Sequence, residues 1–134
     1  MFPILEEYEK FIYTIPERFS DIKISTLVLK RFGVNAAKLV GKIYFNNNFE
    51  LSVLEVIDFD KRRVKSYSYE VFRNKEKIYW YDSWSHPNDT SLASTNPHHK
   101  HIHPNIKHHR IPAPDLSFKK PNLIFLIDEI LRQF

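Results

Sequence analysis

The stretch NPHHKHIHPNIKHHR, residues 96–110, holds six of the seven histidines in the chain, together with Lys100, Lys107 and Arg110. Imidazole changes charge near neutral pH and is also a common metal ligand. A cluster of this kind suits metal holding, proton transfer or pairing with phosphate. It also suits a solvated loop whose histidines cap backbone groups. In an extended segment, side chains alternate, which puts His99, His101 and His103 on one face and His98 on the other. Three imidazoles can hold a catalytic zinc ion, with Asp82 or Asp89 as an added carboxylate. Proton transfer asks less of the geometry. Cutting RNA without metal requires a base for the 2′-hydroxyl, an acid for the leaving 5′-oxygen and cations for the charge that builds at phosphorus. His98, His99 and His101, with Lys100 and Arg110, supply all three. This reading expects no metal and no other cofactor.

Asp82 follows Tyr81 where the chain enters the histidine-rich stretch. A carboxylate there can accept a ring N–H from a histidine, fixing its tautomer. The alternative is a turn-capping aspartate, for which Asp-Ser before a proline-rich loop is well suited. Upstream, RRVKSYSYE places Lys65, Tyr67 and Tyr69 on one strand face. Aromatics beside a cation can stack bases and pair phosphates. Plain cross-strand packing competes with that reading.

Positioning these residues requires a fold, and composition allows one. Of 134 residues, 43% are hydrophobic and 15% aromatic, enough for a core. With two glycines the chain contains no P-loop and no GxGxxG pattern. The absence of cysteine excludes disulfides, thiolate zinc sites and cysteine nucleophiles. It also fits the reducing cytoplasm. The acidic start, MFPILEEYEKF, is unlike a signal peptide, and the apolar run LIFLI is far too short to span a bilayer. The net charge is a modest +4. Residues 96–120, however, carry five Lys or Arg against one acid, Asp115.

Leu5, Tyr8, Phe11, Ile12 and Ile15 recur at helical spacing. Alternating segments at 22–32, 36–45, 49–59, 64–72 and 78–84 follow, separated by short polar turns such as NNN and DKRR. Residues 85–116 lack periodicity and hold five of the eight prolines. Pro121 then opens a closing helix with a stripe of Leu123, Leu126, Ile127, Ile130 and Leu131. The expectation is one α+β domain over residues 1–134. A single antiparallel β-meander of about five strands carries both terminal helices on one face, and a long His/Pro-rich connection wraps it.

At YDSWSHPNDTSLASTNPHHKHIHPNIKHHRIPAPDLSF, residues 81–118, the chain resembles the TumE-type toxins of TumE–TumA toxin–antitoxin pairs. The features that carry the resemblance are an aromatic–Tyr-Asp segment, the Pro-His-His-Lys-His motif at residues 97–101 and the helix that closes the chain. The resemblance implies a small cytoplasmic toxin of a type II toxin–antitoxin system, neutralised by a partner encoded nearby. By the motif, His98, His99, Lys100 and His101 become candidate functional positions, with Tyr81 and Asp82 as a second group. His103, His108 and His109 fall outside the motif, which weighs against a metal site built on His103. The leading expectation is an RNA-directed, metal-independent endoribonuclease. His98, His99 and His101 would move protons, Asp82 and Tyr81 would assist, and Lys65, Lys100, Arg110, Tyr67 and Tyr69 would hold the substrate. One alternative is a non-catalytic module that binds protein or nucleic acid. The other is a metal-dependent hydrolase with histidine ligands.

Overall fold

A computed structural model describes residues 1–83 and 97–134. The chain opens with helix α1 (Leu5–Tyr13) and the short α2 (Ile15–Arg18). Strands β1 (Ile22–Ser25), β2 (Val28–Phe32), β3 (Ala36–Phe45), β4 (Phe49–Asp58), β5 (Arg63–Arg73) and β6 (Glu76–Asp82) follow. After them come β7 (His99–Ile102), β8 (Arg110–Pro112) and helix α3 (Leu123–Leu131). All eight strands form one antiparallel sheet in the order β1-β3-β4-β5-β6-β7-β8, with β2 also pairing β3.

The expected five-strand meander is therefore corrected to eight strands. One cause lies at Gly41. The segment 22–32 pairs with β3 in two pieces, breaking at Thr26 and Leu27. Gly41 has φ +138, and a Cβ there would stand 2.5 Å from the Thr26 carbonyl oxygen. Its missing side chain lets the break lie directly over β3, where Thr26 N donates to Lys42 O at 2.8 Å and Lys42 N to Thr26 Oγ1 at 2.9 Å. The other cause is the histidine stretch. Expected to be an irregular wrap, it pairs β7 onto β6 and β8 onto β7. Prolines hid this pairing from a periodicity argument, but Pro112 ends an edge strand, where a missing N–H costs little.

The core lies between the sheet and the helices. Strand β4 buries Phe49, Leu51, Val53, Glu55 and Ile57 on alternate positions. Tyr8 of α1 donates to Glu55 Oε1 at 2.5 Å, and Tyr69 of β5 donates to Glu55 Oε2. Asn122, just before α3, donates from Nδ2 to the Tyr69 hydroxyl at 3.1 Å. One buried carboxylate thus gathers both terminal helices and the middle of the sheet. Its tyrosine donors offset the desolvation of burial. Burial still dominates over those hydrogen bonds and raises the Glu55 pKa. Among the described residues, no helix is long and apolar enough to cross a membrane.

Candidate functional site

The register of the last three strands builds the site. His99 lies opposite Asp82, and His101 opposite Trp80. On the other side, His101 faces Arg110 and His99 faces Pro112. Side chains two apart on a strand share a face. Trp80, Asp82, His99, His101 and Arg110 therefore meet on one side of the sheet. Tyr81 and Lys100, the residues between, point to the other side.

Asp82 Oδ1 stands 2.5 Å from His99 Nε2, so the ring N–H donates to the carboxylate. This meets the distance that an aspartate–histidine pairing requires. Arg110 Nη1 lies 3.4 Å from the same nitrogen. Asp82 Oδ2 accepts the indole N–H of Trp80 at 3.1 Å and lies 3.3 Å from His101 Nε2. The Trp80 and His101 rings stack with centroids 3.9 Å apart. The second nitrogen of His101, Nδ1, lies 3.1 Å from the Ile106 carbonyl oxygen. A carbonyl only accepts, so Nδ1 carries the proton and Nε2 of the neutral ring presents a lone pair. Nε2 is buried and makes no hydrogen bond among the described residues. Its 3.3 Å separation from Asp82 falls within ion-pair range but lacks hydrogen-bond geometry. Burial lowers the His101 pKa, against the opposing pull of Asp82.

His98 stands apart from this cluster. Tyr67 Oη and His98 Nδ1 are 2.6 Å apart, with the two rings parallel and Phe118 against the imidazole. Burial raises the Tyr67 pKa, so the phenol stays protonated beside the ring. Burial likewise lowers the His98 pKa, with His99 adding to the effect.

The other sequence candidates occupy different surroundings. Tyr81 donates to Glu129 Oε2 at 2.7 Å, and Lys100 Nζ reaches the same oxygen at 3.2 Å while lying over the Tyr79 and Tyr81 rings. Lys100 thus joins β7 to α3 on the face away from His99 and His101. Tyr69 belongs to the Glu55 core. Lys65 does not share the face of Tyr67 and Tyr69. Val56 pairs with Ser66 and Ile57 with Val64, which leaves Lys65 as the extra residue of a bulge. His103 is exposed, with Nε2 3.2 Å from Lys77 O, and does not join His99 and His101. Asp89, the alternative carboxylate, lies outside the described residues, as do Trp84 and His86. Sequence reasoning did not select Trp80 or Glu129. Trp80 was detectable, because it sits two residues before Asp82 on the same strand face. Glu129 had no comparable sign within the helix.

A second polar surface lies at the β4–β5 turn. Lys61, Arg62, Arg63, Lys119 and Lys120, with Met1 and Asp60, line a cavity of about 680 Å³. Arg63 lies over the Phe118 ring, whose other neighbours are Tyr67 and His98. The cavity and His98 are therefore joined through one phenylalanine.

Asp82, His99 and His101 present three ligand atoms within 4.8 Å of one another, a carboxylate oxygen and two imidazole nitrogens. Such a group can bind a cation or orient and exchange protons. No curated protein and no solved structure matches the chain. The family model described as Toxin TumE matches residues 10–133, nearly the whole length, and the chain belongs to the TumE toxin family.

Proposed function

We propose that this toxin acts on RNA as an endoribonuclease, as the toxin half of a type II pair whose antitoxin is encoded nearby. The observation that carries the reading is the meeting of Asp82, His99, His101 and Arg110 on one sheet face. Buried histidines and a carboxylate rarely serve packing alone, and clusters of them are commonly functional. The basic cavity adds a surface for a polyanion. Five cations against one acid attract a phosphate backbone, and Phe118 leads from them to His98.

Burial and position support a different division of the roles in this reading. His99 is 0% exposed and His101 6%, so neither ring is placed for direct proton exchange with an RNA hydroxyl. His98 is partly exposed and nearer the basic cavity. Substrate holding shifts from Lys65, Lys100 and Tyr69 to Lys61, Arg62, Lys119 and Lys120. Arg110 and Tyr67 stay beside the histidines. The same burial favours a second reading, a non-catalytic module that binds RNA or its antitoxin through the basic cavity.

Purified protein incubated with RNA, followed on a denaturing gel, separates the two. Fragments that disappear with His98→Ala and with Asp82→Ala support the enzyme. RNA that stays whole but binds in a salt-sensitive way supports the module and sinks the nuclease. Co-expression with the neighbouring reading frame tests the pairing. Growth arrest that the neighbour fails to relieve counts against it.

A further inference from the structure

We propose that Asp82, His99 and His101 form a binding site for one divalent transition-metal ion of zinc's class. The Nδ1–H of His101 is committed to the Ile106 carbonyl, which aims the Nε2 lone pair at Asp82 Oδ2, 3.3 Å away. Two acceptors facing each other repel, and the buried Nε2 has no donor among the described residues. A cation between them resolves the conflict.

The surroundings match what a metal-binding histidine requires. Ligating imidazoles usually give their other N–H to a carbonyl or carboxylate, and ligating carboxylates are themselves hydrogen-bonded. His101 has the Ile106 carbonyl, and Asp82 has the Trp80 indole N–H at 3.1 Å. The stacked Trp80 ring holds the His101 plane at 3.9 Å. Both ligands are thus oriented by neighbours that do not themselves ligate.

The distances fit with a local adjustment. Bonds of about 2.0–2.2 Å to zinc put neighbouring ligand atoms roughly 3.3–3.6 Å apart in a tetrahedron. One ligand atom from each of the three residues already lies within 4.8 Å of the others, and Asp82 Oδ2 and His101 Nε2 stand at 3.3 Å. His99 Nε2 lies against the other oxygen, Oδ1, at 2.5 Å, so binding exchanges that hydrogen bond for a shared ion, with the Nε2 proton released to solvent. Arg110 Nη1, 3.4 Å from His99 Nε2, must turn aside. Two imidazoles and one carboxylate, with no thiolate, favour zinc, cobalt, nickel or iron over magnesium or calcium. Three protein ligands leave a position for water or substrate, the pattern of catalytic sites.

Binding of the ion stands independently of any RNA target. The test is titration of the full-length, metal-stripped protein with Co²⁺, followed by its visible bands, and with Zn²⁺ by calorimetry. One equivalent should bind, with affinity reduced at least tenfold in His101→Ala and Asp82→Ala. Trp80→Phe, which keeps the stacking ring and removes the N–H, should weaken binding by about tenfold. Combined replacement of His103, His108 and His109 by Ala should leave binding unchanged. Should the Asp82 or His101 variants fail to fold, wild-type protein loaded with Co²⁺ should show paramagnetically shifted signals from two imidazoles. Absence of binding by the wild type, loss confined to the His103/His108/His109 variant, or shifted signals from one imidazole would overturn the proposal. A bound ion with RNA left whole supports the metal site and refutes the nuclease. EDTA-resistant RNA cleavage by protein that binds no ion does the reverse.

Discussion

Removing one hydroxyl from the buried Glu55 cluster, by Tyr8→Phe, should destabilise the protein in a pH-dependent way. Tyr8 and Tyr69 each donate to a separate oxygen of a carboxylate that is 0% exposed. A hydrogen bond to a charged group contributes about 1.5–3 kcal/mol, and a neutral one about 0.5–1.5 kcal/mol. Burial raises the Glu55 pKa despite both donors, so the folded protein keeps this proton at pH values where the unfolded chain has released it. Stability from this group is therefore fully present below the unfolded carboxyl pKa and falls as pH rises through the folded one. Deleting the Tyr8 hydroxyl removes an interaction that favours the charged form, pushing the folded pKa higher still. Urea unfolding on the alkaline side of the folded Glu55 titration should show a loss of about 1.5–3 kcal/mol, shrinking to about 0.5–1.5 kcal/mol on its acid side. Glu55→Gln should flatten the pH dependence, and Tyr8→Phe in that background should cost the smaller amount across the whole pH range. A Tyr8→Phe loss that does not change with pH in the wild-type background, or that stays under about 0.5 kcal/mol throughout, would refute the reasoning.

Gly41→Ala should cost roughly 1–3 kcal/mol, because its Cβ would meet the Thr26 carbonyl oxygen and Leu27 Cα, and backbone cannot swing away. Thermal melts check this, and an unchanged Tm would show that the close crossing is not required. Lys119→Ala with Lys120→Ala should weaken RNA binding and flatten its dependence on salt by roughly two units of log–log slope, measured by filter binding. An unaltered slope would remove the basic cavity from the binding surface. Glu129→Gln should loosen Lys100 and Tyr81 together and lower stability by about 1–3 kcal/mol in chemical denaturation. No loss would mean that the β7–α3 link contributes nothing.

Local periodicity was legible wherever a strand had one buried face. The segments at 36–45 and 49–59 emerged close to β3 and β4 because their apolar residues alternate. Two features were not legible. The split of 22–32 depends on a glycine one strand away, and no pattern within 22–32 reports it. The β7 and β8 pairing depends on partners across an interval of low hydrophobicity, where histidine fills buried positions that aliphatic residues usually hold. At the site, simple alternation along an extended chain was enough to place His99 and His101 together. It failed for Lys65, because a bulge inserts one residue and reverses the faces beyond it. Glu129 and the Ile106 carbonyl reach the site through tertiary contacts, which neither spacing nor composition encodes.

The short strands at the sheet's margins have a consequence for how a neutralising partner can bind. One side is shared by β1 and β2, of four and five residues, and the other ends in β8, of three residues including Pro112. A partner that docked by adding its own strand would draw affinity from a row of main-chain hydrogen bonds. Here each described margin offers only a few such groups, and Pro112 has no N–H to give. On these described margins a partner meets side chains and charge rather than a long row of main-chain groups, so the identity of those side chains, more than the run of the backbone, is what a partner there would read.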